Sequence, residues 1–190
     1  MTDNGTEKVA AMVIHHENPM LAAITPRAIN DVLMIAEKVA KTGLCGVRTS
    51  EDAFIRIMTG MELGFGPMQS FRGVYTINGK PALYADLMGA AGKARPSVCR
   101  YFRMVSSTKD CAVYETHRVG EPEATRLAYT MEQARDAGLT TNVTYKKHPD
   151  AMLRARCSAT LARIVYPDVV SGIYAPEELD NAGDRDDRDD

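Results

Sequence analysis

The chain has no tryptophan, and only 6% of its residues are aromatic. That scarcity argues against a surface built mainly from exposed stacking platforms, the usual device of proteins that passively coat single-stranded nucleic acid. No apolar run approaches the roughly 20 residues that a bilayer-spanning helix needs. Met1 to Lys8 are polar and carry no signal-peptide core. The expectation is a cytoplasmic protein with no membrane partner. Cys45, Cys99, Cys111 and Cys157 stand singly, without a C-x-x-C pair. Buried reduced thiols are expected, not a zinc site or a disulfide framework.

Catalytic devices are also scarce. "LMGAAGKA" at 87–94 imitates a phosphate loop, but Leu87 replaces the first glycine and Ala94 the hydroxyl that would bind magnesium. His15 and His16 lack a third ligand nearby in sequence, and His117 and His148 are isolated. No metal and no cofactor are expected. Asp86, Glu115 and Glu123 are the carboxylates from which a metal-dependent nuclease would have to be assembled.

The net charge of −2 hides a segregation of signs. Residues 93–166 carry 13 Lys and Arg against 7 Asp and Glu, whereas residues 167–190 carry 2 against 9. A basic block followed by an acidic tail fits either an anionic partner or an ordinary solvated surface.

Local patterns predict several helices, a hairpin and an antiparallel meander. Residues 1–25 read as an N-terminal arm, 26–180 as the main domain and 181–190 as an acidic disordered tail. From Pro26, a stripe of Ile29, Leu33, Ala36 and Ala40, widened by Val32, Ile35 and Val39, predicts a helix that Gly43 stops. Thr49 reads as the N-cap of a second helix, with Phe54, Met58 and Met61 as its buried stripe. A turn over Met68 to Phe71 leads to "VYTINGKPAL", where Asn78-Gly79 suits a type I′ hairpin. Lys80 stands beside that turn, and Asp86 is expected to cap a short helix through Ala94. Segments 97–105, 110–119 and 124–130 alternate as strands of an antiparallel meander. Thr130 caps a short helix that ends at Gly138, and a loop leads to the last helix, 150–166. There Leu153, Cys157, Leu161 and Ile164 form a core stripe, Ala155, Ser158, Ala159 and Ala162 a small-residue face, and Arg156 and Arg163 one flank. Arg154 borders the stripe on its other side.

"LGFGPMQSFRGVYTINGKPALYADLM", "YTMEQARDAGL" and "TYKKHPDAMLRARCSATLARIVYPDVVSGIYAPEEL" follow one another in an order and spacing that resembles the RecT/Redβ class of phage-type single-strand annealing proteins. The resemblance spans roughly residues 27–180. It implies an α+β fold, a small antiparallel sheet with a β-hairpin packed against several helices that line a basic DNA groove. It also implies ATP-independent binding of single-stranded DNA and annealing of complementary strands in recombination, by a homo-oligomeric ring or filament. Implied partners are single-stranded DNA, the annealed duplex intermediate, and a partner exonuclease or host single-strand binding protein. By resemblance the DNA-facing residues are Lys80, Tyr145, Lys146, Lys147, Arg154, Arg156 and Arg163. Asp150 departs from the pattern, standing where relatives often carry a cation. After Glu178 the chain runs into the acidic tail, where longer relatives carry a partner-binding region. Passive strand coating, or a metal-dependent nuclease, are the alternatives.

The tail offers almost no core-forming side chain. Deleting residues 181–190 is therefore expected to leave the melting temperature unchanged within about 1–2 °C, well inside the shift of several degrees that 1 kcal/mol produces. Thermal melts of the two chains check this.

Overall fold

The computed structural model describes residues 26–77, 79–170 and 172–173, apart from the side chains of Pro26 and Asp86. The proposed N-terminal arm, Asn78 of the hairpin turn, and the acidic tail lie outside the described residues.

Helix α1 (Pro26–Thr42) starts at the proline and ends before Gly43, which takes a left-handed φ of 64°. Its inward line is Val32 and Ala36, with Val39 partly buried, packed on Ala53, Ile57 and Phe71. Leu33 and Ile35, expected within the buried stripe, are exposed together with Met34. The sequence pattern made the apolar stripe too wide because it includes residues on both sides of the line that α2 covers.

Helix α2 (Ser50–Glu62) is capped by Thr49, whose hydroxyl accepts from the Asp52 amide at 3.1 Å. Its buried line is Ala53, Ile57 and Gly60, while Phe54, Met58 and Met61 are only partly covered. The expected stripe was rotated by one position, because small residues let neighbouring backbone come closest. Arg56 is buried beside Asp52, with Nε to Oδ1 at 2.9 Å, and the Thr76 hydroxyl donates to the same carboxylate oxygen. That trio fastens the hairpin to α2.

Residues expected as a turn instead form helix α3 (Pro67–Gly73), which uses Pro67 at its first position. The hairpin follows as β1 (Val74–Ile77) and β2 (Lys80–Leu83), antiparallel, with Ile77 opposite Lys80 and Val74 opposite Leu83. Helix α4 (Ala85–Lys93) has Tyr84 at its N-cap. Asp86 is the second helical residue, not the cap, because the helix starts one residue before the polar residue that sequence reasoning relied on.

The expected meander is present as β3 (Cys99–Ser107), β4 (Cys111–Arg118) and β5 (Thr125–Thr130), in the order β3-β4-β5. Arg103 pairs Glu115, and Glu115 pairs Arg126. Bulges interrupt the β3 register between Cys99 and Tyr101 and between Met104 and Ser106. Thr130 caps α5 (Met131–Asp136) in a capping box with Gln133, and Gly138 follows at φ 72°. The expected loop contains a 3-10 turn (Leu139–Thr141) and helix α6 (Val143–Lys147), capped by Asn142. Helix α7 (Pro149–Val165) runs into α8 (Pro167–Val170).

Two of the faces read from the sequence of α7 are both buried. Leu153 and Cys157 join Ala112, Ala134 and Tyr145 over one end of the sheet. Leu161, Ala159 and Ala162 join Met88, Ala91, Phe102 and Tyr166 in the main core. The small face meets α4, with the Ser158 hydroxyl 3.4 Å from the Ala85 carbonyl oxygen. Ile164, expected in the core stripe, is 59% exposed because the core has passed to Tyr166 by that point. Cys99 and Cys157 are buried as expected, whereas Cys45 is exposed and Cys111 is intermediate. Among the described residues no helix is long and apolar enough to cross a membrane.

Gly60 sits where alanine would ordinarily stabilise a helix by about 1 kcal/mol. Here an added Cβ would lie 1.8 Å from the Ser70 hydroxyl oxygen and 3.3 Å from its Cα. Gly60→Ala is therefore expected to destabilise by about 1–3 kcal/mol, with part of the loss recovered in the Gly60→Ala, Ser70→Gly pair. Leu161→Ala, in the core, is expected to cost about 2–5 kcal/mol. Denaturant titrations of the four proteins check both statements.

Candidate functional site

The residues singled out from sequence divide into three physical groups. Lys80, Lys146 and Lys147 are exposed. Lys80 opens β2 at the hairpin turn, and the two lysines close α6, immediately before the chain turns at His148 into α7. Exposed lysines on short connections keep their ammonium groups in water and contribute little to a core.

Arg154, Arg156 and Arg163 are half-buried, and each is engaged by the fold. Arg154 donates to Asp150 at 2.8 Å and to the Ser107 hydroxyl at 3.2 Å, which turns it toward the end of β3. The Arg154 hydrogen bond holds the Asp150 carboxyl below its usual range. Asp150 thus occupies one of the cations that the sequence resemblance assigns to DNA. Arg156 lies toward β5, where its charge partly offsets the burial that raises the Tyr129 hydroxyl. Arg163 reaches the Ile173 carbonyl at 3.5 Å and the Met88 sulfur at 3.8 Å. It therefore belongs to the contact between α7 and α4. Arg154 and Arg163 are nine residues apart on one helix, about 13 Å along its axis.

Tyr145 is 4% exposed and packs with Leu153 and Cys157. Its ring helps anchor α6 to α7 and is not presented as a stacking surface. The aromatic position that introduces the last helix is better explained as the hydrophobic tether that carries Lys146 and Lys147.

Sequence reasoning passed over two cation arrangements. Arg118 makes a bidentate pair with Asp168 at 2.7 and 2.8 Å, donates to the Val165 carbonyl at 2.8 Å, and lies over the Tyr166 ring. The Asp168 hydrogen bonds raise the Arg118 pKa. Beneath it the Tyr166 hydroxyl is 2.6 Å from the buried Thr116 hydroxyl, and burial pushes the phenol well upward. These contacts tie α7 to β4 and are structural. The second arrangement is a row across the sheet, on the face away from α7. Arg103 reaches Glu115 Oε1 at 2.7 Å through a terminal nitrogen and at 3.2 Å through Nε. The Tyr101 hydroxyl donates to the same oxygen at 2.8 Å. The alternation Arg100, Phe102, Met104 against Tyr101, Arg103 was the available signal, blurred by the bulge at Cys99.

Glu115, one of the carboxylates weighed for a metal site, is thereby occupied by Tyr101 and Arg103, which lower its pKa in that order. Among the described residues no three of His, Cys, Asp and Glu gather to hold a metal ion.

Lys146→Ala and Lys147→Ala are expected to leave the melting temperature within about 2 °C of the parent. Arg118→Ala, which strips Asp168 and the Val165 carbonyl of their partner, is expected to lose about 1–3 kcal/mol. Paired thermal and denaturant melts separate the two classes. No protein-family model matches the chain, and no curated protein matches it.

Proposed function

We propose that the protein binds single-stranded DNA through its backbone phosphates and anneals it to a complementary strand without nucleotide hydrolysis, acting as a homo-oligomer. The observation that carries this reading is the exposure of Lys80, Lys146 and Lys147 on two projecting connections, the hairpin turn and the α6–α7 elbow, where no core uses them. The sequence resemblance assigns the DNA-facing role to these three lysines together with Tyr145, Arg154, Arg156 and Arg163.

The chemistry asked of such a protein is electrostatic. Two complementary strands repel one another, and cations along one backbone lower that repulsion while releasing condensed counterions. Phosphate contacts carry no base preference, so the base edges remain open for Watson–Crick selection. No bond is made or broken, and the reading assigns no catalytic group, metal or cofactor. One subunit reaches only a few nucleotides, so useful length demands neighbours. The exposed apolar residues of α1, Leu33, Met34 and Ile35, and the adjoining Ile55 of α2, support assembly. Leu33 and Ile55 border a groove of about 310 Å³ between these helices.

Two labelled complementary oligonucleotides, mixed with and without magnesium and ATP, test the proposal. Accelerated duplex formation in the absence of both is expected. Binding without acceleration points to passive coating, and shortened products to a nuclease. The ion pair at the start of α7 gives a sharper expectation. Asp150→Asn releases Arg154 and should tighten single-strand binding at low salt, steepening the log-affinity against log-salt slope by about 0.7 if one phosphate contact is gained. Lys80→Ala, Lys146→Ala and Lys147→Ala should each flatten that slope by a similar amount. Salt titrations of oligonucleotide binding read out all four.

A further inference from the structure

Among the described residues the sheet has one covered face and one that no core cluster covers. Phe102, Tyr114 and Leu127 point into the core shared with α4 and α7, and Ala112 and Tyr129 into the cluster beneath α5, α6 and α7. Strand alternation sends Tyr101, Arg103, Glu115, His117 and Arg126 to the other side, and none of these belongs to a core cluster of the described residues. The register sets them in two rows. Tyr101 faces His117, and Arg103, Glu115 and Arg126 stand abreast across the three strands.

These groups are arranged, not merely exposed. The Arg103 guanidinium lies 4.9 Å above the Tyr101 ring centroid, and the His117 ring meets Tyr101 edge-on at 6.0 Å. His117 is itself held, its Nε2 lying 3.0 Å from the Glu121 carbonyl oxygen. A single carboxylate oxygen of Glu115 accepts from both Tyr101 and Arg103. The Arg103 side chain remains 64% exposed, so the pair contributes little to stability. What Glu115 does supply is orientation: it fixes a ring and a guanidinium plane in a stacked pose facing solvent.

The Arg103–Glu115–Arg126 row sets two cations beside one carboxylate, which favours an anion. That carboxylate is already engaged by Arg103. Past the β3 edge, Arg103 also borders an open cleft of about 400 Å³ that has Lys93 in its lining.

We propose that the outer face of the β3–β5 sheet is a second surface for single-stranded nucleic acid, on which an unpaired base stacks against the Tyr101–Arg103 pair while Arg126 meets a flanking phosphate. Bases splayed from a single strand stack on tyrosine rings and on guanidinium planes, and sheets present such groups without having to reorganise. The surface is distinct from the α6–α7 elbow, because the helices pack on the opposite side of the sheet. The inference rests on the single-strand reading, and adds to it a contact with bases, where the lysine connections offer only phosphate contacts.

The test uses the full chain and a 2-aminopurine-labelled oligonucleotide, with Tyr101→Leu, Tyr101→Phe and Arg126→Ala. Tyr101→Leu should weaken binding by about 5- to 100-fold with an unchanged salt slope, since stacking releases no counterion. Tyr101→Phe keeps the ring but loses its hydrogen bond to Glu115, and should lose much less affinity than Tyr101→Leu, whereas Arg126→Ala should flatten the slope by about 0.7. Photocrosslinking of a halogenated oligonucleotide to the unmodified protein should mark the peptide that contains Tyr101, a result independent of how the variants fold. Parental affinity in Tyr101→Leu, or crosslinks confined to peptides away from β3, overturns the sheet-face proposal and leaves the single-strand reading standing. If the parent protein binds no oligonucleotide at any salt concentration, both fail together.

Discussion

Helix α7 is buried on two sides at once, and the rest of the structure is arranged around that constraint. Its larger side chains fill the inner face of the sheet, while Ser158, Ala159 and Ala162 let the backbone of α4 come within side-chain reach. Gly89 answers from α4: a Cβ there would stand 3.0 Å from the Phe102 ring. Helix, helix and sheet are therefore mutually positioned by residues too small to be replaced without moving backbone. The Thr116–Tyr166 hydrogen bond and the Arg118–Asp168 pair then fix the direction of α7 as it leaves the sheet.

That packing decides what each cation can do. A guanidinium on α7 has a carbonyl, a hydroxyl or a carboxylate within reach, because the helix has neighbours on most sides. Lysines on α6 and at the hairpin have solvent around them. The same formal charge therefore plays two roles in this chain. On α7, Arg154 and Arg163 use their fork of donors to join elements, whereas Lys80, Lys146 and Lys147 stand exposed at the connections.

Much of the architecture was legible in the sequence wherever a local rule and the tertiary fold agree. Pro26 and Gly43 bracket α1, Thr49 and Thr130 cap their helices, and Asn78-Gly79 marks the hairpin between β1 and β2. The three-stranded meander follows from an alternation that two bulges in β3 interrupt only locally. Failures share a cause, which is that periodicity gives a direction but not the extent of cover. Leu33, Ile35 and Ile164 have the spacing of buried residues, yet the described chain leaves them exposed. Conversely, Ala53 and Gly60 are buried because they are small, a property that a hydrophobic stripe undervalues. The candidate site was legible as a list of cations, and illegible as geometry. No spacing rule could say that Asp150 holds Arg154, or that Glu115 holds Arg103 over Tyr101.

Helix α1 carries a further consequence. It packs chiefly on α2, through Val32 and Ala36, and shows a comparable amount of apolar side chain on its outer side. A helix fastened along one narrow line opens at a lower free energy than the core does, so its amides exchange through a local event and not through global unfolding. Anything that covers Leu33 and Met34 binds the closed form alone and draws that local equilibrium toward order by mass action. The protection of α1 against exchange is then a property of concentration as much as of sequence.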